Sequence, residues 1–177
     1  LPSLENAANR VQQGDLEAFR EIVQATSDQL VRVATRVIGD MAEAEDVVQE
    51  SYISAYQALS QGQFDRRSHL TAWLRRIVIN RAIDALRSRR RRPRLDDSLM
   101  ETGWDGAAGV DSRMALVELN DWMHELVPEQ RVTLVLSVFE GLSNLEIAQA
   151  MGCSEGAVEQ RLVRARVALR QRSQKDG

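Results

Sequence analysis

The chain has 177 residues, 44% of them hydrophobic and 28% charged, enough apolar content to pack a core and to exclude wholesale disorder. Apolar runs last only a few residues and the first residues lack the charged-then-apolar layout of a secretory signal, so no membrane insertion is expected and a cytoplasmic location is. A net charge of −3 hides a steep segregation: residues 64–94 hold eleven basic and two acidic side chains, whereas 95–142 hold two basic and ten acidic ones.

Apolar side chains recur at helical spacing almost throughout and nowhere alternate for long, so the expected fold class is all-α, two small helical bundles joined by a flexible linker. From Asp15 as N-cap, Phe19, Ile22, Val23, Leu30, Val33, Ala34, Val37 and Ile38 step at threes and fours until Gly39-Asp40 stops the first helix. A second helix starts near Ala42 and buries Ala44, Val47, Val48, Ser51, Ala55 and Leu59 before Gly62. Its other face carries Glu45, Asp46, Gln49 and Glu50, which suits either a basic partner helix or plain solvation. A third helix over about 68–91 turns Leu70, Trp73, Leu74, Ile77, Val78, Ala82 and Leu86 inward and ends before Pro93. Arg76, Asn80 and Arg87 share its outward face, fit for phosphates or a base edge, with Asp84 placed to orient Arg81 or Arg87.

Six of the eight positions from Arg87 to Arg94 are arginine, which fits a solvated helix end and also a phosphate-binding row. Of the 23 basic residues only Lys175 is lysine, a bias that suits phosphate forks and equally a GC-rich genome. Residues 1–92 form the first expected domain. Residues 93–112, with Pro93, Gly103, Gly106, Gly109 and five acidic side chains, read as the linker.

The second domain, 113–177, resumes helical spacing through Met114, Leu116, Val117, Leu119 and Met123, and Pro128 then opens a helix carrying Val132, Leu134, Val135 and Val138. Ser143 and Glu146 have capping-box spacing ahead of Ile147, Ala148 and Met151; Gly152-Cys153-Ser154 makes a turn. Beyond it Val158, Leu162, Ala165 and Leu169 bury one face while Gln160, Arg161, Arg164 and Arg166 lie largely on others. A short helix, a turn containing Gly and a cationic second helix are the helix-turn-helix layout that enters a major groove; a purely structural hairpin would need no arginines there. Chemistry is absent by contrast. One cysteine, Cys153, and two distant histidines, His69 and His124, make neither a metal cluster nor a nucleophile motif, so no catalytic residue, metal or cofactor is expected and the chain is read as a non-enzyme.

These motifs together resemble the extracytoplasmic-function (ECF) sigma factors of the sigma-70 type. The first module is similar to their region 2 through Gly14-Asp15-Leu16-Glu17-Ala18-Phe19, Ala44-Glu45-Asp46-Val47-Val48-Gln49-Glu50, Phe64, Trp73-Leu74, Ile77, Asn80 and Asp84. The second is similar to region 4 through Pro128-Glu129-Gln130-Arg131, Glu140-Gly141-Leu142-Ser143, Glu146-Ile147-Ala148, Gly152, Ser154, Gly156, Val158, Arg161-Leu162 and Arg164-Ala165-Arg166. The resemblance implies that Glu45, Asp46, Gln49 and Glu50 dock on the clamp helices of the largest subunit of core RNA polymerase. It implies that Phe64, Asp65, Arg66, Arg67 and Ser68, with Arg76, Asn80 and Arg87, read and open the −10 element, and that Ser154, Glu159, Gln160, Arg161 and Arg164 meet −35 promoter DNA. The second-largest subunit's flap and an anti-sigma factor are the other implied partners.

Two places depart from the family pattern. The loop Asp65-Arg66-Arg67-Ser68 lacks the glycine often found there, and Glu159-Gln160 stands where a basic residue and Ser are usual, which exchanges a cation for an anion near DNA. An alternative function, a helix-turn-helix regulator that binds DNA without polymerase, would leave the acidic helix and the Phe64 loop idle. A helical interaction protein would leave both basic features unexplained.

Overall fold

The structure, a computed structural model, describes residues 3–64, 69–91 and 121–176. Asp65, Arg66, Arg67 and Ser68, the 93–112 linker and most of the helix expected from Arg113 lie outside the described residues. Every regular element among the described residues is an α-helix, as expected. Helices α1 (Leu4–Gln12), α2 (Leu16–Ile38), α3 (Met41–Ser60) and α4 (Leu70–Arg91) make the first bundle; α5 (Pro128–Val138), α6 (Asn144–Met151) and α7 (Glu155–Asp176) make the second.

The helix starts follow from capping chemistry. The Asp15 carboxylate accepts the amide of Ala18 at 3.2 Å, which supplies one of the donors that the first turn of α2 leaves unpaired. Gly39 ends that helix in the left-handed region at φ 81, and Asp40 at once caps α3 by accepting the amide of Glu43 at 2.8 Å. One glycine-aspartate pair thus makes the whole α2–α3 corner. Between the helices Ile22, Val33, Val37 and Ile38 of α2 meet Val48 and Leu59 of α3 and Leu70, Leu74, Val78 and Ile79 of α4, all buried. Truncating such a leucine costs about 2–5 kcal/mol. Tyr52 is buried as well, and its hydroxyl pairs with that of Thr26 at 2.7 Å, so neither hydroxyl is stranded.

Helix α1 precedes the helix expected from Asp15 as the first of the chain. Its apolar face consists only of Ala7, Ala8 and Val11 with Leu4 half-buried, a stripe too weak to stand out as periodicity, yet Ser3 caps it through the amide of Asn6. The expected inward set of α4 was also incomplete: Ile79 and Ile83 are buried, while Trp73 and Ile77 are only half-buried. In the second bundle Pro128 occupies the first turn of α5, and Val132, Val135, Leu136, Ile147, Val158, Leu162 and Ala165 form the core. Val138, expected among the apolar positions of that helix, remains 57% exposed.

Candidate polymerase and nucleic-acid interface

Helix α3 separates its residues cleanly. Ala44, Val47, Val48 and Ser51 are buried, whereas Glu45, Asp46, Gln49 and Glu50 all face solvent. The Ser51 hydroxyl donates to the carbonyl of Val47 at 2.7 Å and so stays with the buried side. One turn on, Ile53 is 56% exposed at the i+3 and i+4 positions from Glu50 and Gln49, giving the acidic face an apolar edge that the sequence had signalled only by that spacing. Glu50 is also met from inside the bundle: Arg81 binds it at 2.9 Å and reaches Ser54. Both charges are well exposed, so the pair is worth at most about 1 kcal/mol and can be exchanged for another partner.

Along α4, Arg76 and Asn80 are exposed and one turn apart, and Arg87 lies further along the same side. Asp84 reaches Arg87 at 3.5 Å, while Arg81 turns to α3 instead. Phe64 lies against Trp73, with ring centroids 5.1 Å apart and planes tilted by 58°. A cleft beside Phe64 is lined by Ala8, Asn9, Gln12, Leu59 and Gly62, so α1 contributes two amide side chains next to the aromatic ring. An aromatic face and amide donors and acceptors are the groups that hold an unstacked base. Sequence reasoning missed these amides because it missed α1.

The helix-turn-helix is built as its motif requires. Ser143 and Glu146 form a complete capping box, with the Ser143 hydroxyl accepting the Glu146 amide at 3.3 Å and the Glu146 carboxylate accepting the Ser143 amide at 2.8 Å. The Ser143 hydroxyl also donates to that carboxylate at 2.7 Å, and this bond with the one from the Ser143 amide holds the Glu146 carboxyl below its ordinary value. Gly152 turns the chain at φ 63, and the Ser154 hydroxyl caps α7 by accepting the amide of Ala157 at 3.2 Å. On α7, Glu159, Gln160 and Arg164 are exposed together. Arg161 is half-buried and donates to Sγ of Cys153 at 3.1 Å, which ties the recognition helix to the turn. Val163, absent from the sequence-derived set, adds a 58% exposed β-branched side chain beside Glu159 and Gln160.

The two bundles meet along α2 and α4. Arg36 binds Glu140 at 2.7 Å, Arg87 binds Glu129, and Arg90 donates to the carbonyl oxygens of Glu125 and Leu126 at 2.8 and 3.0 Å. Burial alone would raise the carboxyl of Glu129, but its own backbone amide, Arg87 and Arg161 outweigh it and hold the group below its ordinary value. Deeper in the seam Arg131 is only 1% exposed, with His124 against one nitrogen and the Arg36 carbonyl at 3.5 Å from another. Burial lowers this guanidinium to about 10, with Arg89 adding to the effect. Among the described residues no His, Cys, Asp and Glu cluster could hold a metal ion, and no helix is long and apolar enough to cross a membrane.

A four-helix module with an acidic face and a cationic helix, followed by a helix-turn-helix module, is an architecture of transcription initiation factors of the sigma-70 type. The patterns for sigma-70 region 2 and sigma-70 region 4 match residues 22–92 and 116–169. The RNA polymerase sigma-H factor of Pseudomonas aeruginosa is 37% identical, over 90% of this chain and 88% of that protein. The ECF RNA polymerase sigma factor SigW of Bacillus subtilis is 31% identical, over 91% of each. Among solved structures, CnrH in complex with the cytosolic domain of CnrY is 26% identical and superposes with a TM-score of 0.66 over 97% of each chain. The sigma factor RpoE of Bartonella quintana, solved with the anti-sigma factor NepR, shares the fold at a TM-score of 0.67 over 92% of this chain and 100% of that one, at 23% identity. The chain belongs to the extracytoplasmic-function RNA polymerase sigma factors.

Proposed function

We propose that this chain carries core RNA polymerase to promoters in the cytoplasm and opens them by binding energy alone, with no bond chemistry of its own. The observation that carries this reading is the joint presence of the solvent-facing acidic row on α3 and the capped helix-turn-helix in one chain. Glu45, Asp46, Gln49 and Glu50 dock on a basic helical pair, the clamp helices of the largest subunit, with Ile53 as the apolar edge. Helix α7 enters the −35 major groove, where Glu159 and Gln160 face base edges and Arg164 meets phosphate. The second-largest subunit's flap completes the docking of the second bundle.

At the −10 element Arg76, Asn80 and Arg87 of α4 track the backbone, while Phe64 and the loop residues Asp65, Arg66, Arg67 and Ser68 capture an unstacked base. Holding one base out of the stack repays part of the cost of unpairing it, about a few kcal/mol. Domain boundaries at 1–92, 93–112 and 113–177 fit this division of labour. An anti-sigma factor is proposed as a further partner, one of the kind with which Bartonella quintana RpoE was solved. Run-off transcription with purified core polymerase across a genomic fragment library is the test. Initiation at discrete sites that depends on this chain supports the proposal; DNA binding unaffected by polymerase, with no initiation, would favour a regulator that works alone.

A further inference from the structure

Helix α1 lies outside the stretch matched by the region 2 pattern, which begins at residue 22, yet each of its ends reaches toward Phe64, the ring read above as the base-capturing one. The helix is firmly attached. Ala7, Ala8 and Val11 are buried in the first bundle, and Arg10 joins α1 to Asp15 at 2.7 Å and to Glu21 of α2 at 3.1 Å. Beyond bordering the cleft at its C-terminal end, Gln12 packs on the turn that follows α3. A Cβ on Gly62 would stand 2.6 Å from Nε2 of Gln12, so this glycine is required by the approach of α1 as well as by its own φ of 69. Phe64 follows two residues later. At the other end of α1, the Glu5 carboxylate lies 3.5 Å from Nδ1 of His69, at the start of α4. Its own backbone amide first, then His69 and the amide of Leu70, hold the Glu5 carboxyl below its ordinary value against the opposing effect of burial. The His69 carbonyl accepts the amide of Trp73 at 3.1 Å, and the Trp73 ring is the one against which Phe64 lies. Both ends of α1 thus lead to Phe64, one through the turn before it in the chain and the other through the first turn of α4 and Trp73.

We propose that Glu5 and Gln12 are positioning residues for promoter opening, and that α1 is a brace that holds Phe64 in the arrangement that receives an unstacked base. The inference rests on reading Phe64 as the base-capturing ring. A ring already in place spends its whole stacking gain on the captured base, whereas a ring that must be ordered at the moment of capture loses part of that gain to its own conformational entropy. Contacts at the two ends of α1 suffice, because the helix between them is buried and tied to its neighbours. Losing either one frees one of the two anchors of the ring. Direct DNA contact is not the role of Glu5, since an anion repels phosphate; in this it differs from Arg76 and Arg87, the cations of α4.

The test follows open-complex formation by the full chain with core polymerase, read by permanganate footprinting at a promoter found in the run-off assay. The promoter is supplied once as duplex and once already melted. E5A and Q12A are each expected to slow opening of the duplex about threefold, and E5A/Q12A about fivefold. Rates on the melted template, affinity for polymerase and the thermal midpoint should stay close to those of the wild-type chain. E5Q keeps a carbonyl oxygen that accepts the same N–H groups and should restore most of the rate. Because both residues act through Phe64, adding E5A/Q12A to F64A should slow opening no further than F64A does. Unchanged opening in E5A and Q12A overturns the brace, and so does an equal loss on the two templates or a slowing that multiplies with that of F64A. Should E5A/Q12A fail to fold, the single variants carry the same comparisons. F64A also separates this inference from the reading beneath it. If F64A slows opening while E5A/Q12A does not, the brace alone falls, whereas an F64A chain that opens the duplex at the wild-type rate overturns base capture by Phe64 and the brace with it.

Discussion

The Arg36 guanidinium and the Glu140 carboxylate meet at 2.7 Å across 104 positions of sequence, with side chains only 28% and 11% exposed. Arg36 also lies over the ring of Phe139, 5.7 Å from its centroid, so the cation is held by a carboxylate and an aromatic face at once. This is the most sheltered ion pair joining the two bundles among the described residues, and its partial burial puts it above ordinary surface pairs. A double-mutant cycle with Arg36→Ala and Glu140→Ala, followed by urea unfolding, should give a coupling of about 1–2 kcal/mol. Raising the salt should reduce it only in part. A coupling that vanishes by physiological ionic strength would class the pair with the exposed ones.

The proposed docking of polymerase through α3 makes a prediction that stability cannot mimic. Asp46 and Gln49 are fully on the solvent side, and neither supports the core formed by Val47, Val48 and Ala55. Asp46→Arg with Gln49→Arg should therefore leave the thermal midpoint within the range of surface changes, about 0.5 kcal/mol, while lowering affinity for core polymerase by at least tenfold through charge repulsion. Pull-down and anisotropy with labelled chain measure the second quantity. Unchanged affinity would remove the docking assignment.

Phe64 is half-buried against Trp73 and borders the cleft that α1 helps to form. Its removal should weaken opening of a duplex promoter more than binding to the same promoter supplied already melted, because only the first reaction needs a captured base to offset unpairing. Phe64→Ala should slow open-complex formation by about tenfold, the equivalent of about 1.4 kcal/mol of a stacking contact. Permanganate footprinting on the two templates checks the difference. Equal losses on both would point to a structural role through Trp73.

What the sequence revealed divides along physical lines. Local signals were legible: Asp15, Gly39-Asp40, and Ser143 with Glu146 each act through neighbours within four residues, and each does in the structure what its spacing implied. The exposed faces of α3 and α7 were legible for the same reason, since a helix fixes which side chains share a side. Helix α1 was missed because alanines make a faint stripe. The seam was missed because Arg36 with Glu140, Arg87 with Glu129 and Arg131 with Arg36 join residues far apart in the chain, and no local periodicity encodes such pairs. Arg131 is the sharpest case. An arginine in a helix reads as surface, yet this one is buried where the bundles meet.

The capping box gives the second bundle a specific acid sensitivity. Ser143 lowers the Glu146 carboxyl through its side chain first and its backbone second, so the folded value lies below the unfolded one. A depressed carboxyl contributes stability above its unfolded value, and that contribution is lost as pH falls through the folded value. The second bundle should therefore weaken progressively below the ordinary carboxylate range, near pH 4 and under. Ser143→Ala removes the cap and should cost about 1 kcal/mol at neutral pH, concentrated in the short helix α6, with a matching loss of affinity for −35 duplex DNA. It should also make the acid limb of the stability profile shallower, since Glu146 then loses the bond from the Ser143 hydroxyl and keeps only the one from the backbone amide. Hydrogen exchange at the amides of α6, followed from pH 7 downward in both chains, reads the two effects together. Parallel acid limbs would mean that other carboxylates, not the box, set the response.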